Sequence, residues 1–332
     1  MPEPTYDVVA LGNALVDVIT HEDDGFLAAH DLHKGSMALI DEERAAALYA
    51  AMGVGTEMSG GSAANTVAGL ASFGGRSAFL GKVRDDELGR VFTHDLEANG
   101  VTFAAPPATL GPSTGRCLIV VTPDAERTMS TFLGAGAELG PDHIDPSVIG
   151  AAKVVYLEGY LFDSPDAKEA YRKASRVAHG AGGKVALTLS DSFCVQRHLA
   201  EWVTLVDEQV DVLFGNDEEL QVLCGTGFDE ALRQIRGRVE VAVITRGAAG
   251  SVVVTADEVV EVAAEPVPAL VDTTGAGDLF AAGFLYGYTH DLPLAECGRL
   301  GALAAAEVIS HTGARPLIPL CLLYTSPSPR DS

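Results

Sequence analysis

Apolar runs rich in Val, Ile and Leu alternate with segments of helical period along most of this chain, and no other feature restricts the fold as strongly. Two parallel strands can be joined only through a crossover, so repeated strand–helix–strand units build an open, mostly parallel α/β sheet with helices on both faces. Strands are expected at Tyr6–Leu11, Ser77–Gly81, Val154–Glu158, Lys184–Thr188, Val212–Gly215 and Val241–Thr245. Helices are expected between them at Ala63–Phe73, Asp86–Asn99, Asp166–His179, Arg197–Val206 and Asp217–Cys224, with Ser62 and Asn216 placed as caps.

Two stretches break the rhythm. Val16–Thr20 with Met37–Ile40, and Cys117–Thr122 with Arg127–Thr131, read as short strands with no crossover helix, the second pair joined by a turn at Pro123–Glu126. They predict a small β sheet inserted into the main domain, from about residues 13–40 and 114–132, that projects over a site as a lid. One principal domain over residues 1–320 is expected, since an α/β domain can run past the usual ~100–200 residues.

The chain has 332 residues, 47% hydrophobic and 20% charged, which is a globular composition. Its net charge of -24 argues against nucleic-acid and anionic-membrane partners, because neutralising phosphates takes clustered Lys and Arg. An anionic substrate must then be received by a local positive field from backbone amides, helix ends and a metal, and not by global attraction. The five Cys (117, 194, 224, 297 and 321) form no C-x-x-C pair, and the nine His show no metal-binding spacing, so reduced thiols and a cytoplasmic location are expected. Val8–Leu11, flanked by Asp7 and broken by Gly12 and Asn13, reads as a first strand and not a signal peptide. No apolar run approaches the ~20 residues that span a bilayer. Residues Cys321–Ser332 read like the translation of a transposon-end sequencing adapter and are set aside as non-native.

Chemistry concentrates in Asp272-Thr273-Thr274-Gly275-Ala276-Gly277-Asp278, followed by the apolar helical run Leu279-Phe280-Ala281-Ala282-Gly283-Phe284. Gly275, Ala276 and Gly277 let the backbone approach a ligand closely, and the helix start beyond them carries partial positive charge, so together they form an anion hole. A carboxylate there repels a phosphate unless it accepts a hydrogen bond from an attacking hydroxyl. That makes Asp278 a candidate general base for phosphoryl transfer. An acid at this place can also do no more than complement the helix dipole. Neither G-x-x-x-x-G-K-[ST] nor a post-strand G-x-G-x-x-G is present, which lowers the P-loop and dinucleotide-binding readings.

The Asp272–Asp278 run, with Gly60-Gly61-Ser62-Ala63-Ala64-Asn65, resembles the paired signatures of the PfkB, or ribokinase-like, carbohydrate and nucleoside kinase family, over about residues 6–319. Gly12–Asp17, Thr114–Cys117, Leu213–Asn216 and Thr312–Pro316 resemble stretches of adenosine kinase within it. Val67 and Arg84 depart from the family pattern.

The resemblance implies ATP and Mg²⁺ as cosubstrate and cofactor, Asp278 as base, and the amides of Gly275, Ala276 and Gly277 on the migrating phosphoryl. It implies that Asp17 binds a pair of sugar hydroxyls, with Asn13, Gly60, Gly61 and Asn65 completing the acceptor site. Asn216 and Glu219 match an N-x-x-E motif implicated in holding magnesium through water, and they also read as a helix cap with an acidic neighbour. Thr245 and Gly247 follow a strand end and are candidate ATP contacts. Arg127 aligns with a lid arginine expected to swing onto the transferred phosphate, and equally fits an ordinary exposed arginine. Asp272 and Thr274 fall where many relatives bind a monovalent cation, so K⁺ activation is expected. Asp17 could be a surface turn acid, and Gly60-Gly61 a plain loop.

Adenosine is the leading acceptor, with ribose, fructose or another furanose-like sugar as the alternative, because Met37 stands where relatives offer an amide to the purine. A non-catalytic nucleoside-binding protein and a nicotinamide oxidoreductase are the readings from other classes. Trp202 is expected to pack, the helix Ala295–Ser310 is expected to be core, and both monomer and homodimer are compatible with the lid.

Overall fold

The computed structural model describes residues 4–124 and 126–325. In chain order the strands are β1 (Tyr6–Leu11), β2 (Leu15–His21), β3 (Met37–Leu39), β4 (Thr56–Gly60), β5 (Ser77–Leu80), β6 (Val101–Phe103) and β7 (Gly115–Val121). They continue with β8 (Arg127–Phe132), β9 (Ala152–Glu158), β10 (Lys184–Thr188), β11 (Val212–Asn216), β12 (Val241–Thr245), β13 (Ser251–Val254) and β14 (Val259–Val262).

Nine strands form the main sheet in the order β14-β13-β12-β11-β10-β9-β1-β5-β6. Seven of them run parallel, and β13 and β14 add an antiparallel edge. The alternation of side chains along β1 explains why the sheet is covered on both faces: Val8 and Ala10 enter one apolar core, Val9 and Leu11 the other. The helices Ser62–Ser72, Ala276–Thr289 and Leu294–Val308 supply the first core, and Pro165–Gly180, Leu199–Gln209, Asp217–Cys224 and Phe228–Ile235 the second. Strand order reverses at β1, which has β5 on one side and β9 on the other, and ligand crevices of open α/β sheets lie at such switch points.

The second sheet has the order β3-β8-β7-β2-β4. The expected lid strands are present but pair otherwise than by sequence neighbourhood. β2 lies parallel to β7 and antiparallel to β4, while β3 pairs only with β8. Period-two alternation puts Val16, Val18, Leu118 and Val120 into the main core and turns Leu15, Asp17, Cys117, Ile119, Met129 and Thr131 the other way, over the C-terminal ends of the large sheet.

Six expected strands and four of the five expected helices match within two residues at each end. The expected helix Arg197–Val206 is Leu199–Gln209, and a separate helix, Ser192–Arg197, started by Asp191 capping the amides of Phe193 and Cys194, precedes it and meets it at His198. Strands β4, β6, β13 and β14 were not anticipated: β4 (Thr-Glu-Met-Ser-Gly) has no apolar alternation, and the other three are only three or four residues long. Ser62 does not cap its helix. Gly61 occupies that position with φ of 95°, and the Ser62 hydroxyl bonds elsewhere. Trp202 is fully buried, its ring tilted against that of Phe162 with centroids 4.3 Å apart, as a packing residue does. Residues 320–325 form a short helix whose first amide, at Leu320, donates to Ser72 Oγ; positions 326–332 of the expected adapter tail lie outside the described residues. Among the described residues no helix is long and apolar enough to cross a membrane.

Candidate active site

Between the two sheets lies a cavity of about 790 Å³, lined from the main domain by the C-terminal ends of β9 to β12 and the start of helix Ala276–Thr289, and from the lid by β2, β3, β7 and β8. Asn13, Asp17, Gly61, Asn65, Asn216, Glu219, Thr245, Thr274, Gly275, Ala276, Gly277 and Asp278 all reach it, although they are drawn from five separate parts of the sequence. Gly247 does not: it sits exposed in a turn with φ of 54°. Gly60 does not line the space either. A Cβ there would come within 2.5 Å of the Asp17 carboxyl, so this glycine makes room for protein and not for substrate. Gly61 is needed for two reasons, a positive φ and an approach to the Asn13 carbonyl that would leave a Cβ 2.3 Å away.

At the helix start Gly275 takes φ of 78°, packed against Ala314, and turns the chain so that the following amides point into the cavity. Among the described residues the amides of Gly275, Gly277 and Asp278 have no hydrogen-bond partner, as the first donors of a helix lack intrahelical acceptors. The Ala276 amide is an exception: it donates to the Thr273 carbonyl at 3.2 Å. The anion hole expected from Gly275, Ala276 and Gly277 is therefore better drawn with the Asp278 amide in place of that of Ala276.

The Asp278 carboxylate is held at both oxygens, by the Ser62 hydroxyl at 2.6 Å and by Asn65 Nδ2 at 3.0 Å. Burial pushes its pKa up, and these two donors with the nearby Arg315 charge oppose the rise. Asp17, on the lid strand, is pushed up to about 6 by burial, with the Asp278 charge adding to the rise and Arg315 and Arg127 opposing it.

Sequence reasoning missed four contributors. Glu158, at the end of β9, accepts from the Asn13 amide and Nδ2 at 3.3 and 2.8 Å and from the Ala63 amide at 2.9 Å, tying β1 to the helix that carries Ser62 and Asn65. Burial still pushes its pKa up to about 7. Its only signal was an acid ending an apolar strand. Tyr160 and Phe193 line the cavity while 42% and 69% exposed, which is unusual for large rings with a core at hand. Arg315 donates Nη2 to the Ser59 carbonyl and hydroxyl at 3.1 and 2.9 Å, joining the loop after the last long helix to the lid strand β4.

Asn216 and Glu219 close on each other. The Asn216 side chain caps the Glu219 amide at 2.8 Å, and the Glu219 carboxylate takes the Asn216 amide at 3.0 Å and Nδ2 at 2.8 Å. Arg127 is neither free nor swung outward: its Nη1 pairs with the Asp272 carboxylate and donates to Thr274 Oγ1 at 2.8 Å. Burial favours the neutral form of Asp272, but the Gly313 amide, the Thr274 hydroxyl and amide and the Arg127 charge outweigh it, so its pKa lies below the usual carboxylate range.

Residues 42–321 match the model of the pfkB family carbohydrate kinases, more than four-fifths of the chain. The chain belongs to this family. Among solved structures it is similar to the adenosine kinase of Sinorhizobium meliloti, with 50% identity, a TM-score of 0.88 and coverage of 96% of this chain and 98% of that one. Among curated proteins it is 30% identical over 258 residues to an uncharacterized sugar kinase of Archaeoglobus fulgidus, covering 76% of this chain and 98% of the relative. It is also 29% identical to the 5-dehydro-2-deoxygluconokinase of Geobacillus kaustophilus, over 80% of this chain and 82% of the relative. The protein is thus a phosphotransferase acting on the hydroxyl group of a sugar or nucleoside, and family membership implies ATP as donor.

For a pfkB kinase the placement is chemically coherent. Free amides at a helix start can stabilise a phosphoryl group, which needs oriented donors more than covalent help. The carboxylate beside them can orient and deprotonate an alcohol. Among the described residues no three His, Cys, Asp or Glu converge on a metal position. Glu219 keeps one further acceptor site on each oxygen, which suits contact with a hydrated magnesium carried on a triphosphate and does not suit direct encapsulation.

Proposed function

We propose that this kinase transfers the terminal phosphoryl of ATP to a ribose hydroxyl of a nucleoside, with adenosine the first acceptor to test. One observation supports a nucleoside over a bare sugar. The cavity that Asp17 lines also has two exposed rings, Tyr160 and Phe193, and the apolar lid side chains Leu15, Met37, Leu39, Ile119, Met129 and Leu133 among its walls. A flat aromatic base suits such walls through stacking and apolar contact. A hexose or pentose would set hydroxyls against those apolar side chains, at a cost of ~1–3 kcal/mol for each group left buried and unpaired. The sugar reading rests on curated relatives named as sugar kinases, at 30% identity or less, and on the solved structure of a probable sugar kinase from Rhizobium etli, 46% identical with a TM-score of 0.89 over 96% of this chain. The identity to the Sinorhizobium meliloti adenosine kinase is 50%.

The chain's own residues divide the work as follows. Asp17 accepts two hydrogen bonds from a vicinal diol, which a carboxylate can do with both oxygens. Asn13, Gly61 and Asn65 border the sugar; Asn13 is fixed by Glu158 and Asn65 by Asp278 itself. Asp278 takes the proton of the attacking hydroxyl, and Ser62 and Asn65 aim its oxygens before substrate arrives. The amides of Gly275, Gly277 and Asp278 hold the phosphoryl oxygens, and the Arg127 charge stands beside them on the lid. Thr245 and Asn216 border the donor triphosphate. Asn216 and Glu219 would hold magnesium carried on ATP, which would neutralise charge on the phosphates. Lid and main domain are treated as one catalytic unit, in monomer or homodimer alike.

The test is phosphoryl transfer from ATP to adenosine, other purine and pyrimidine nucleosides, ribose and fructose. The expected result is a kcat/KM for adenosine well above that for either sugar. Turnover of the sugars with none of adenosine would overturn the assignment.

A further inference from the structure

Asp272 and Thr274 are the residues from which a monovalent-cation site was expected, and their surroundings do not fit one. Asp272 is buried, and all of its acceptor capacity is in use. Oδ1 accepts from the Thr274 amide at 3.0 Å and its hydroxyl at 2.6 Å; Oδ2 accepts from the Gly313 amide at 3.0 Å and from Arg127 Nη1. A carboxylate offers about four lone-pair sites, so these four bonds leave none for a metal ion. The Thr274 oxygen is likewise engaged, giving its proton to Asp272 and accepting Arg127 Nη1 at 2.8 Å. A second cation at this place would also meet the guanidinium charge at contact distance.

We propose that Arg127 is the resident cation of this loop, so that the enzyme works without bound K⁺ or any other monovalent metal ion. The guanidinium does what a small ion would do there. It neutralises Asp272 beside the anion hole and, through Thr274, steadies the turn that presents the amides of Gly275 and Gly277. It differs in being tethered to β8. Because Arg127 shares the cavity-facing side of that strand with Met129 and Thr131, positive charge reaches the loop only when the lid lies over the acceptor site. A dissolved ion binds whether or not the lid is closed. The inference rests on the family's phosphoryl-transfer chemistry and not on the choice of acceptor.

The experiment compares wild type, Arg127→Met and Arg127→Lys in potassium, sodium and choline chloride at equal ionic strength, by initial rate with ATP and by melting temperature without substrates. For wild type the rates should agree within about twofold and the melting temperatures should coincide, choline being too large to replace a buried ion. Arg127→Met uncovers the Asp272 oxygen. Potassium should then raise its rate over choline by about tenfold and raise its melting temperature, a ligand-linkage effect independent of turnover. Arg127→Lys, which restores a tethered charge, should return both readouts to indifference. Strong potassium activation of wild type would overturn the proposal, as would an Arg127→Met protein whose rate and melting temperature both ignore potassium. If the acceptor assignment is what fails, adenosine gives no turnover in any salt while the melting temperatures still discriminate.

Discussion

On the floor of the cavity the carboxylates are tied to neighbouring side chains and amides: Asp278 holds Ser62 and Asn65, Glu158 holds Asn13 and the Ala63 amide, and Asp272 holds Thr274, Gly313 and Arg127. On the roof, the lid turns mostly apolar side chains toward the same space, and Met37 and Leu39 are 52% and 62% exposed on a three-residue edge strand. The floor is preorganised and the roof is not. Charge developing in a transition state is stabilised by groups that need not move, whereas an apolar roof can close on one flat ligand or another with little loss. On the proposed function, the floor carries the reaction and the roof contributes to the choice of acceptor.

The comparison breaks most severely at Asp278. Asp278→Asn keeps the shape and removes the base, so kcat should fall by ~10²–10⁴-fold while ATP still binds with near wild-type affinity in calorimetry. An equal loss of ATP affinity would mean that the residue only supports the helix start. A change in the aromatic wall of the cavity should act differently. Phe193→Ala removes a stacking face, and KM for adenosine should rise about tenfold, worth ~1–1.5 kcal/mol, with KM for ATP unchanged. If KM for both substrates rises together, the ring belongs to the donor side.

A subtler probe tests how the floor reaches the roof. Asp17 must be ionised to accept from a diol, and its pKa of about 6 in the free enzyme sets an acid limb, so kcat/KM should fall as pH drops through that value. The Arg315 and Arg127 charges hold this pKa down, while Asp278 pushes it up. Asp95, held by the Ser59 amide, and Glu158, whose pKa is raised by Asp278, are the other acids in this network. Arg315→Met removes one restraining charge, so the limb should move to higher pH. An unmoved limb with a lower melting temperature would reduce Arg315 to a structural tie between β4 and the loop beyond helix Leu294–Val308. The smallest effect is expected at Met37. Met37→Gln adds a polar edge to the roof and should change KM among purine nucleosides by only about two- to threefold, without altering kcat.

The alternation of apolar strands and helical segments was enough to place the large sheet, because buried parallel strands must be apolar throughout and their crossovers must be amphipathic. The loop Asp272–Asp278 was legible for a similar reason: small residues before an apolar helix leave few other uses for a carboxylate at that point. Asn216 and Glu219 were legible only as a pair, and the capping box that joins them is a local event that sequence spacing can describe. Pairing within the lid was not legible, since β2, β4 and β7 come together from distant segments and β4 carries no apolar alternation. Nor could sequence show that Ser62 leaves its helix cap for Asp278, 216 positions away, or that Glu158 reaches Asn13 across 145. Those contacts depend on which strand ends the tertiary fold sets side by side. Local chemistry is thus written in local sequence, while the bonds that aim Asp278, fix Asn13 and seat Arg127 on Asp272 exist only because distant parts of the chain return to the same crevice.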